Sequence, residues 1–368
     1  MNFIILNEFR PKEGIVTNAY AAFDPTNDLV ATKINRRHLL ENDVQIEILF
    51  CGICHTDIHI AKNEWNSASY PVVPGHEITG IVTSIGSKVT KFSIGNKCGV
   101  GFYVDTCGTC TQCKDRELEQ YCENGIVIAF NSEDKRNENG CLTCGGYSQC
   151  IVVNEKYVFK WPESLPMDAG APLLCAGITV YSPLKYLLKK QIEPYRVGII
   201  GIGGLGHIAI AMAKAMGSDV TAIGRTNDKK QLALDLGADR YITQDELTKL
   251  NGGMQPLDTI IDTISVDHDL NQYLKFLKLD GTLVPIGLPG GPMRFNARQI
   301  IINRRKIMGS VVGSLKETQS MLDFCAEKNI TCLIEKIDIS NINEAYQRTI
   351  KGDVKFRFVI DIKASKWN

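Results

Sequence analysis

The clearest succession of apolar and polar segments lies in the middle of the chain, in RVGIIGIGGLGHIAIAMAKAMGSDVTAIGRTNDKK. An apolar, β-branched run comes first and predicts a buried strand. A glycine-rich turn follows, and then a helix is predicted with Ala and Met at its apolar positions. A second strand, DVTAIG, comes at the distance that a βαβ unit requires. Further βα units are predicted at LDTIIDTIS and GTLVPIG, so this part of the chain is predicted to be an α/β unit.

The turn between the first strand and the helix has the spacing of a dinucleotide-binding motif, formed by Gly201, Gly203, Gly204, Leu205 and Gly206. Glycines there permit a tight turn and a close approach of the pyrophosphate. The helix N-terminus that follows presents unpaired N–H groups and the positive end of the helix dipole, both of which favour anions. A purely structural glycine turn is the alternative, but the strand before and the helix after favour dinucleotide binding.

The end of the second strand bears on which dinucleotide is bound. An acidic residue that would accept from a ribose 2′-hydroxyl is missing there, and Gly224 is followed by Arg225 and Thr226. Arg225 is expected to bind a 2′-phosphate, with Thr226 donating a hydroxyl and Lys229 adding charge. These basic groups could instead form a solvated loop. The sequence favours NADP(H) over NAD(H).

Length and charge exclude several other classes of protein. The chain has 368 residues, which favours two domains. Its 41 basic and 41 acidic residues give no net charge, which argues against a nucleic-acid or anionic-membrane partner. The N-terminal stretch MNFIILNEFRPK has too short an apolar run for a signal peptide, and no segment approaches a membrane span. A soluble cytoplasmic protein is expected.

Thirteen cysteines do not suit disulfides in such a chain, because the cytosol keeps thiols reduced and an odd number cannot pair fully. Four of them lie within the sixteen residues CGTCTQCKDRELEQYC, namely Cys107, Cys110, Cys113 and Cys122. One loop with these short gaps can surround one zinc ion tetrahedrally. Because protein would fill all four positions, this zinc is predicted to be structural.

The heptapeptide CGICHTD raises the question of a disulfide, a redox pair or a metal. Cys54 from this stretch, His76 from YPVVPGHE and Cys175 from APLLCAGITVYSPL together make a Cys2His set. Such a set leaves a fourth zinc position open to water or substrate, as in alcohol dehydrogenase. Asp57 is expected to orient a ligand by hydrogen bonding. The ITGIVTSIG run after Glu77 predicts a strand.

With an open zinc site and a dinucleotide motif in one chain, the sequence resembles the zinc-dependent medium-chain alcohol dehydrogenases, and within them the cinnamyl-alcohol-dehydrogenase-like branch. The resemblance runs from VQIEILFCGICHTDIH to DVKFRFVIDI and includes KNEW, YPVVPGHE, LLCAGITVYSPL, GIGGLGH and SLKETQSMLDFC. Two features depart from the family pattern. The gap between Cys113 and Cys122 is one residue longer than expected. Cys141 and Cys144 form an additional Cys-x-x-Cys, for which another metal site or a redox site remains an alternative.

The resemblance implies an α/β fold with a partly open, GroES-like β-barrel as catalytic domain and a doubly wound Rossmann domain. The catalytic domain is expected at residues 1–165 and 310–368, and the NADP-binding domain at residues 166–309. Two Zn²⁺ ions per chain, NADP(H) and a homodimer are also implied. The polar stretch NSEDKRNENG is predicted to be a surface loop.

The resemblance also assigns roles to individual residues. Thr56 is expected to contact the substrate oxygen, and His59 to end a proton relay through the cofactor's ribose, although His59 could instead be a packing residue. His55 and Arg357 are expected at the pyrophosphate. Thr179 is expected beside the nicotinamide, and Trp65 and Tyr103 in the substrate pocket. Glu77 is expected either to be an exchange ligand of the zinc or to anchor a ligand.

The implied function is hydride transfer between the nicotinamide and a primary alcohol or aldehyde of broad aliphatic or aromatic range. Plant members that reduce cinnamaldehydes often carry a Trp shortly after the last of the four cysteines at residues 107–122, a segment called the lobe below. Residues 126–128 here are Ile-Val-Ile, which argues against a phenylpropenyl substrate. Two alternatives belong to other classes. One is a zinc-free quinone-reductase relative or a non-catalytic NADP-binding protein, and the other is a metal-binding or redox-sensing protein. The zinc ligands argue against the first alternative and the glycine motif against the second.

Overall fold

The computed structural model describes residues 14–134, 136, 141–188, 195–250, 256–289 and 291–367. The apolar stretch predicted not to be a signal peptide lies outside these residues, as does half of the predicted polar loop at 131–140.

The strands are β1 (Ile15–Ala21), β2 (Val30–Arg36), β3 (Asp43–Gly52), β4 (Ile78–Ile85), β5 (Lys97–Val100), β6 (Tyr103–Asp105), β7 (Val127–Ile128), β8 (Cys150–Asn154), β9 (Val158–Lys160), β10 (Arg196–Ile200), β11 (Asp219–Gly224), β12 (Arg240–Thr243), β13 (Leu257–Asp262), β14 (Leu277–Pro285), β15 (Lys306–Ile307), β16 (Ile334–Ile337) and β17 (Arg357–Asp361). The α-helices are α1 (His55–Ala61), α2 (Thr111–Lys114), α3 (Met167–Gly170), α4 (Ala176–Leu188), α5 (Gly206–Ala215), α6 (Lys230–Asp235), α7 (Gln244–Lys249), α8 (Asn271–Leu274), α9 (Ala297–Ile301), α10 (Leu315–Lys328) and α11 (Ile342–Lys351). Short 3₁₀ helices cover Glu119–Tyr121, Glu155–Tyr157, Ala171–Leu174, Asn227–Lys229 and Ile339–Asn341.

The chain divides into two compact units, one comprising residues 1–175 and 314–368 and the other residues 176–313. The predicted boundary after residue 165 differs from this division, because α3 and the following 3₁₀ helix pack on β3 and β4 of the first unit.

The unit at 176–313 is built on a six-stranded parallel sheet with the order β12-β11-β10-β13-β14-β15. The predicted strands RVGII and DVTAIG are β10 and β11. Val197 to Ile200 are all buried, as expected for a parallel strand covered on both faces. The order reverses beside β10, which is where open α/β sheets bind ligands. The doubly wound fold is confirmed.

The other unit contains a seven-stranded sheet with the order β16-β17-β3-β4-β5-β9, in which β8 also pairs with β3. All these pairs are antiparallel except β16 with β17. The central strand β3 therefore contacts three partners, and the partly open, GroES-like architecture is confirmed. The predicted ITGIVTSIG strand is β4.

Among the described residues, no single helix is long and apolar enough to cross a membrane. Helices at Met167–Leu174 and Ala176–Leu188 together pass that test by length and composition alone, with a bend between them.

Candidate metal and cofactor sites

The residues predicted around the open zinc site come together in the unit formed by residues 1–175 and 314–368. Ligand atoms of Cys54, His76, Glu77 and Cys175 all lie within 4.8 Å of one another. Cys54 is the N-cap of α1, directly after the central strand β3. His76 and Glu77 immediately precede β4, and Cys175 ends a 3₁₀ helix. The antiparallel pairing of β3 with β4 thus aligns two of the three segments.

Asp57 is fully buried and organises this cluster through three hydrogen bonds. Its carboxylate accepts from the backbone N–H of Cys54 and of Gly75, each at 2.9 Å. It also accepts from Nδ1 of His76 at 2.9 Å. Because a carboxylate can only accept, Nδ1 carries the proton and Nε2 keeps its lone pair. The predicted orienting role of Asp57 therefore has a direct geometric basis.

The donor set fits a zinc ion on several grounds. Nε2 of His76 is buried and has no hydrogen-bond partner, and neither has Oε2 of Glu77. The Cys54 and Cys175 sulfurs are 3.9 Å apart. Sulfurs bound tetrahedrally to one zinc at 2.3 Å would be about 3.8 Å apart, whereas a disulfide needs about 2 Å.

The two thiols of the cluster respond differently to their contact. Contact with the Cys175 thiol lowers the pKa of Cys54, whereas contact with Cys54 raises the pKa of Cys175. Both cysteines would bind zinc as thiolates.

Glu77 and Arg357 form a buried ion pair at the edge of the cluster, in which Nη2 of Arg357 donates to Oε1 of Glu77. Burial raises the pKa of Glu77 to about 7, although the Arg357 guanidinium acts in the opposite direction. Sequence reasoning expected Arg357 at the pyrophosphate. The structure shows its Nη2 bound to Glu77, because β17, on which Arg357 lies, pairs with β3 and so brings the guanidinium to the cluster. The contact with the pyrophosphate stays a prediction.

The four lobe cysteines also converge, with all four sulfurs within 4.8 Å of one another. The Cys107 and Cys113 sulfurs are 4.0 Å apart. Cys107 accepts from the backbone N–H groups of Thr109 and Cys110, and these bonds, that of Thr109 first, lower its pKa to about 5. Glu117 adopts a left-handed conformation with φ 52° within the gap that is one residue longer than expected. The longer gap therefore does not prevent four thiolates from surrounding one ion.

The other cysteine pair of note, Cys141 and Cys144, is buried and not disulfide-bonded. In the part of the chain that the structure describes, the groups able to hold a metal are the two clusters above. The further metal site considered for Cys141 and Cys144 therefore has no geometric support among the described residues.

The residues predicted for proton transfer lie on α1. Thr56 and His59 are both partly exposed, and His55 is exposed at the start of the helix. The ring centroids of His55 and His59 are 6.1 Å apart. Trp65 packs its ring against that of His59 at 4.9 Å. It also contacts the buried cluster of Ile60, Val72 and Phe130.

Of the two residues predicted for the substrate pocket, Tyr103 packs against another aromatic ring. Its ring is buried and lies 6.2 Å from Tyr157. The rings next to His76 are those of Phe102, at 5.4 Å, and Phe130, at 5.8 Å. Sequence reasoning missed both phenylalanines. The phenylalanine directly before Tyr103 was the available signal, because neighbouring residues of an extended segment point to opposite sides.

The glycine motif of the other unit has the geometry that close approach requires. Gly201 has φ 81°, and a Cβ there would lie 2.8 Å from the Thr263 hydroxyl. A Cβ at Gly206 would lie 1.8 Å from the Gly201 carbonyl oxygen, whereas one at Gly203 would meet nothing within 4 Å. Leu205 is the N-cap of α5, so Gly204 and Leu205 lead directly into the helix. Thr179 lies on α4, which packs on α5.

The loop after β11 is exposed and basic. A Cβ at Gly224 would lie 2.0 Å from the Tyr241 hydroxyl, so a larger residue there requires the Tyr241 side chain to move. Thr226 donates to Asp228 at 2.7 Å, and Lys229 donates to the carbonyl of Ile202 at 2.8 Å. Burial lowers the pKa of Lys229, and the Arg225 charge acts in the same direction. Two like charges therefore face one region, as an anionic ligand would require.

The fold and these sites define the protein as an oxidoreductase of the metal-containing, dinucleotide-dependent dehydrogenase class. Residues 40–163 match the alcohol dehydrogenase GroES-like domain, and residues 204–327 match the zinc-binding dehydrogenase domain. The chain belongs to the zinc-binding alcohol dehydrogenase family, as the sequence resemblance predicted.

Individual relatives support this assignment along nearly the whole chain. NADP-dependent alcohol dehydrogenase C 1 of Mycolicibacterium smegmatis is 48% identical over 345 residues, which cover 94% of this chain and 97% of that protein. The solved structure of a cinnamyl alcohol dehydrogenase of Sorghum bicolor has a TM-score of 0.91 at 42% identity, covering 96% of this chain and 99% of that one. A cinnamyl alcohol dehydrogenase of Helicobacter pylori, complexed with NADP(H), has a TM-score of 0.89 at 39% identity, covering 96% and 100%.

Proposed function

We propose that this enzyme transfers hydride between NADP(H) and a primary alcohol or aldehyde, with Cys54, His76 and Cys175 as the ligands of a catalytic zinc. The observation that carries the proposal is the buried, unpartnered Nε2 of His76, whose lone pair faces two cysteine sulfurs. Leaving such an atom unpaired is costly unless a ligand satisfies it. Zinc at this set supplies a Lewis acid that polarises an aldehyde carbonyl, and NADPH supplies the hydride.

The protein's own groups hold the reacting centre and move the proton. Asp57 keeps His76 in one tautomer, and Arg357 holds the Glu77 carboxylate at the edge of the cluster. Thr56, in the first turn of α1, is proposed to exchange a proton with the substrate oxygen. His59, one turn further along the helix and partly exposed, is proposed to exchange that proton with water. Glu77 is proposed to be an alternative ligand during exchange, since its Oε2 is buried and unpartnered.

The cofactor is proposed to be NADP(H). Its pyrophosphate would be bound at Gly201 to Gly206, where close approach is possible, and its 2′-phosphate by Arg225, Thr226 and Lys229. The exposed, mutually repelling charges of Arg225 and Lys229 support this assignment. His55 and Arg357 remain proposed contacts of the pyrophosphate, and Thr179 remains a proposed contact of the nicotinamide.

The substrate is proposed to be a primary alcohol or aldehyde of broad aliphatic or aromatic range. Phe102 and Phe130 beside His76 provide apolar surface, and Trp65 and Ile128 pack against the same cluster as Phe130. Such walls bind hydrocarbon chains and rings with little discrimination.

A homodimer in the cytoplasm completes the proposal. Strand β15 ends the six-stranded sheet of the described chain, and Ile301 and Ile302 beside it are 74% and 59% exposed. An exposed sheet edge with apolar neighbours is a ready surface for pairing with a second copy. Analytical ultracentrifugation of wild type and of an Ile301→Glu variant tests the assembly.

The function is tested by assaying protein with two zinc ions per chain against aliphatic, aromatic and cinnamyl aldehydes. NADPH and NADH are compared at fixed ionic strength by nicotinamide absorbance. We expect one NADPH to be oxidised per alcohol formed. Absence of turnover across the panel, in protein shown by elemental analysis to be zinc-replete, would contradict the proposal.

A further inference from the structure

Helix α1 ends in a hydrogen-bond pattern that has a consequence for His59. The helix runs from His55 to Ala61 with Lys62 as C-cap, and the next residue, Asn63, is left-handed with φ 54°. The backbone N–H of Asn63 donates to the carbonyl of Ile60 at 3.0 Å, and that of Glu64 donates to the carbonyl of His59 at 2.9 Å. These two bonds make a Schellman motif.

A Schellman motif brings together the side chains of the third residue from the helix end and the second residue beyond the cap. In most helices this contact is between two apolar groups. Here the two residues are His59 and Glu64, and Nδ1 of the imidazole is hydrogen-bonded to Oε2 of the carboxylate. The termination of the helix therefore determines the partner of the imidazole.

The contact fixes which nitrogen of His59 is basic. A carboxylate only accepts, so Nδ1 carries the proton and Nε2 of the neutral ring keeps the lone pair. Trp65, the next residue along, lies against the ring with a centroid distance of 4.9 Å and an interplanar angle of 32°. The edge and the face of the imidazole are thus both held by the Glu64–Trp65 pair. The remaining titratable neighbour in ring contact is His55, at 6.1 Å.

We propose that Glu64 is a positioning residue for the proton-transfer step, holding His59 as the Nδ1–H tautomer so that Nε2 exchanges the proton. The inference rests on the proposed function. In aldehyde reduction Nε2 takes up one proton from water to give the imidazolium, which passes one proton on towards the substrate oxygen. Alcohol oxidation runs the same transfer in reverse, so the ring ends as it began in either direction.

The pair is too exposed to be a major source of stability. The side chains of His59 and Glu64 are 22% and 47% exposed, and ion pairs of this kind contribute little to folding. The Schellman bonds involve only backbone groups, so they persist when the side chain of Glu64 is changed. Variants at Glu64 therefore test positioning without unfolding the protein.

The experiment compares Glu64→Ala with Glu64→Gln in the zinc-loaded enzyme. The amide oxygen of Gln can still accept from Nδ1, whereas Ala cannot. We expect Glu64→Ala to lower kcat about tenfold with KM for the aldehyde little changed, and Glu64→Gln to recover most of that loss. Glu163→Ala, which removes an exposed glutamate paired with Lys97, is the matched control and should behave as wild type.

Two further measurements separate positioning from a structural effect. In a double-mutant cycle, Glu64→Ala should cost nothing more once His59 is replaced by Gln, because the group it positions is gone. NMR of histidine-labelled protein without cofactor, with His59 assigned by the His59→Gln variant, should show the Nδ1–H tautomer in wild type and Glu64→Gln and a mixture in Glu64→Ala.

The inference is overturned if Glu64→Ala keeps the wild-type kcat and tautomer, or if its effect is additive with that of His59→Gln. Both outcomes are measured on an enzyme whose wild type turns over. Failure of the proposed function would instead appear as an inactive wild type, while the tautomer measurement would still decide the contact itself.

Discussion

The four-cysteine lobe takes all its ligands from residues 107–122, whereas the Cys54–His76–Glu77–Cys175 cluster joins cysteines that are 121 residues apart in the chain. The lobe is held by its own backbone, since N–H groups of Thr109 and Cys110 bond to the Cys107 sulfur. The other cluster depends on buried side chains from different elements, notably Asp57 of α1 and Arg357 of β17.

This difference separates stability from chemistry. Four protein thiolates leave no position for a substrate, so metal binding in the lobe contributes to folding. In the second cluster a carboxylate that is already bound to Arg357 accompanies three other ligands, so one position can be exchanged. Variants of the lobe should therefore lose stability and keep turnover, whereas variants of the second cluster should lose turnover. The following variants test this contrast.

The largest expected effect comes from Cys54→Ser. Loss of an orienting partner alone costs about 10- to 100-fold in metal affinity or activity, so loss of a ligand should reduce kcat by more than about 100-fold. NADPH affinity, measured by fluorescence titration, should change little. Cys150→Ser, at a partly buried cysteine outside both clusters, is the control. Retained turnover with lost cofactor affinity would reverse the assignment of the two sites.

A smaller loss is expected for Asp57→Asn. The amide can present an N–H where the carboxylate accepted three hydrogen bonds, so His76 is no longer fixed with Nε2 free. We expect turnover or zinc affinity to fall about 10- to 100-fold, while zinc in the lobe is retained. Elemental analysis after mild chelation distinguishes the two ions. Asp323→Asn, at an exposed aspartate of α10, should have no such effect.

A variant outside both clusters shows whether the cofactor loop acts independently of them. A charge-assisted hydrogen bond contributes about 1.5–3 kcal/mol, so Arg225→Ala should lower the ratio of kcat/KM for NADPH over NADH at least about tenfold. Lys249→Ala, which removes an exposed charge from α7, is the matched control. We choose Arg225 over Gly224→Asp because a side chain at Gly224 would collide with the Tyr241 hydroxyl. A wild type that prefers NADH would contradict this interpretation of the loop.

The smallest effect on kcat is expected from Cys110→Ser. One zinc per chain should be lost, and the thermal midpoint should fall. In a unit of this size, each kcal/mol lost from the free energy of unfolding lowers the midpoint by about 2–4 °C. The kcat, calculated per folded enzyme molecule, should stay near that of wild type. Differential scanning calorimetry with elemental analysis makes the measurement, again with Cys150→Ser for comparison. A variant that keeps both zinc ions and its midpoint would remove the distinction between the clusters.

The sequence predicted well those features that are formed by residues close together in the chain. Strands β10 and β11 coincide with RVGII and DVTAIG because apolar periodicity and the glycine spacing act over short distances. The four lobe cysteines were found for the same reason. Cys54, His76 and Cys175 are distant in sequence and were grouped by the ligand types that zinc requires, since no periodicity indicates that they meet.

Sequence reasoning did not reveal contacts that depend on strand register and on distant packing. The pairing of β17 with β3 brings Arg357 to a partner 280 residues away, Glu77, which no pattern indicated. Phe102, the ring beside His76, was not singled out, although its neighbour Tyr103 was. A shift of one residue reverses which side of an extended chain faces the site, and composition does not reveal that register.

The contiguity of the lobe has a consequence for how such a chain can change over time. All four sulfurs belong to one short segment, which also contacts the first turn of α10 through Glu117 and Glu119. A single deletion or insertion in the gene could therefore remove, transplant or remodel this whole metal site at once. The other cluster spans most of one unit, so it can be inherited only with the fold that assembles it.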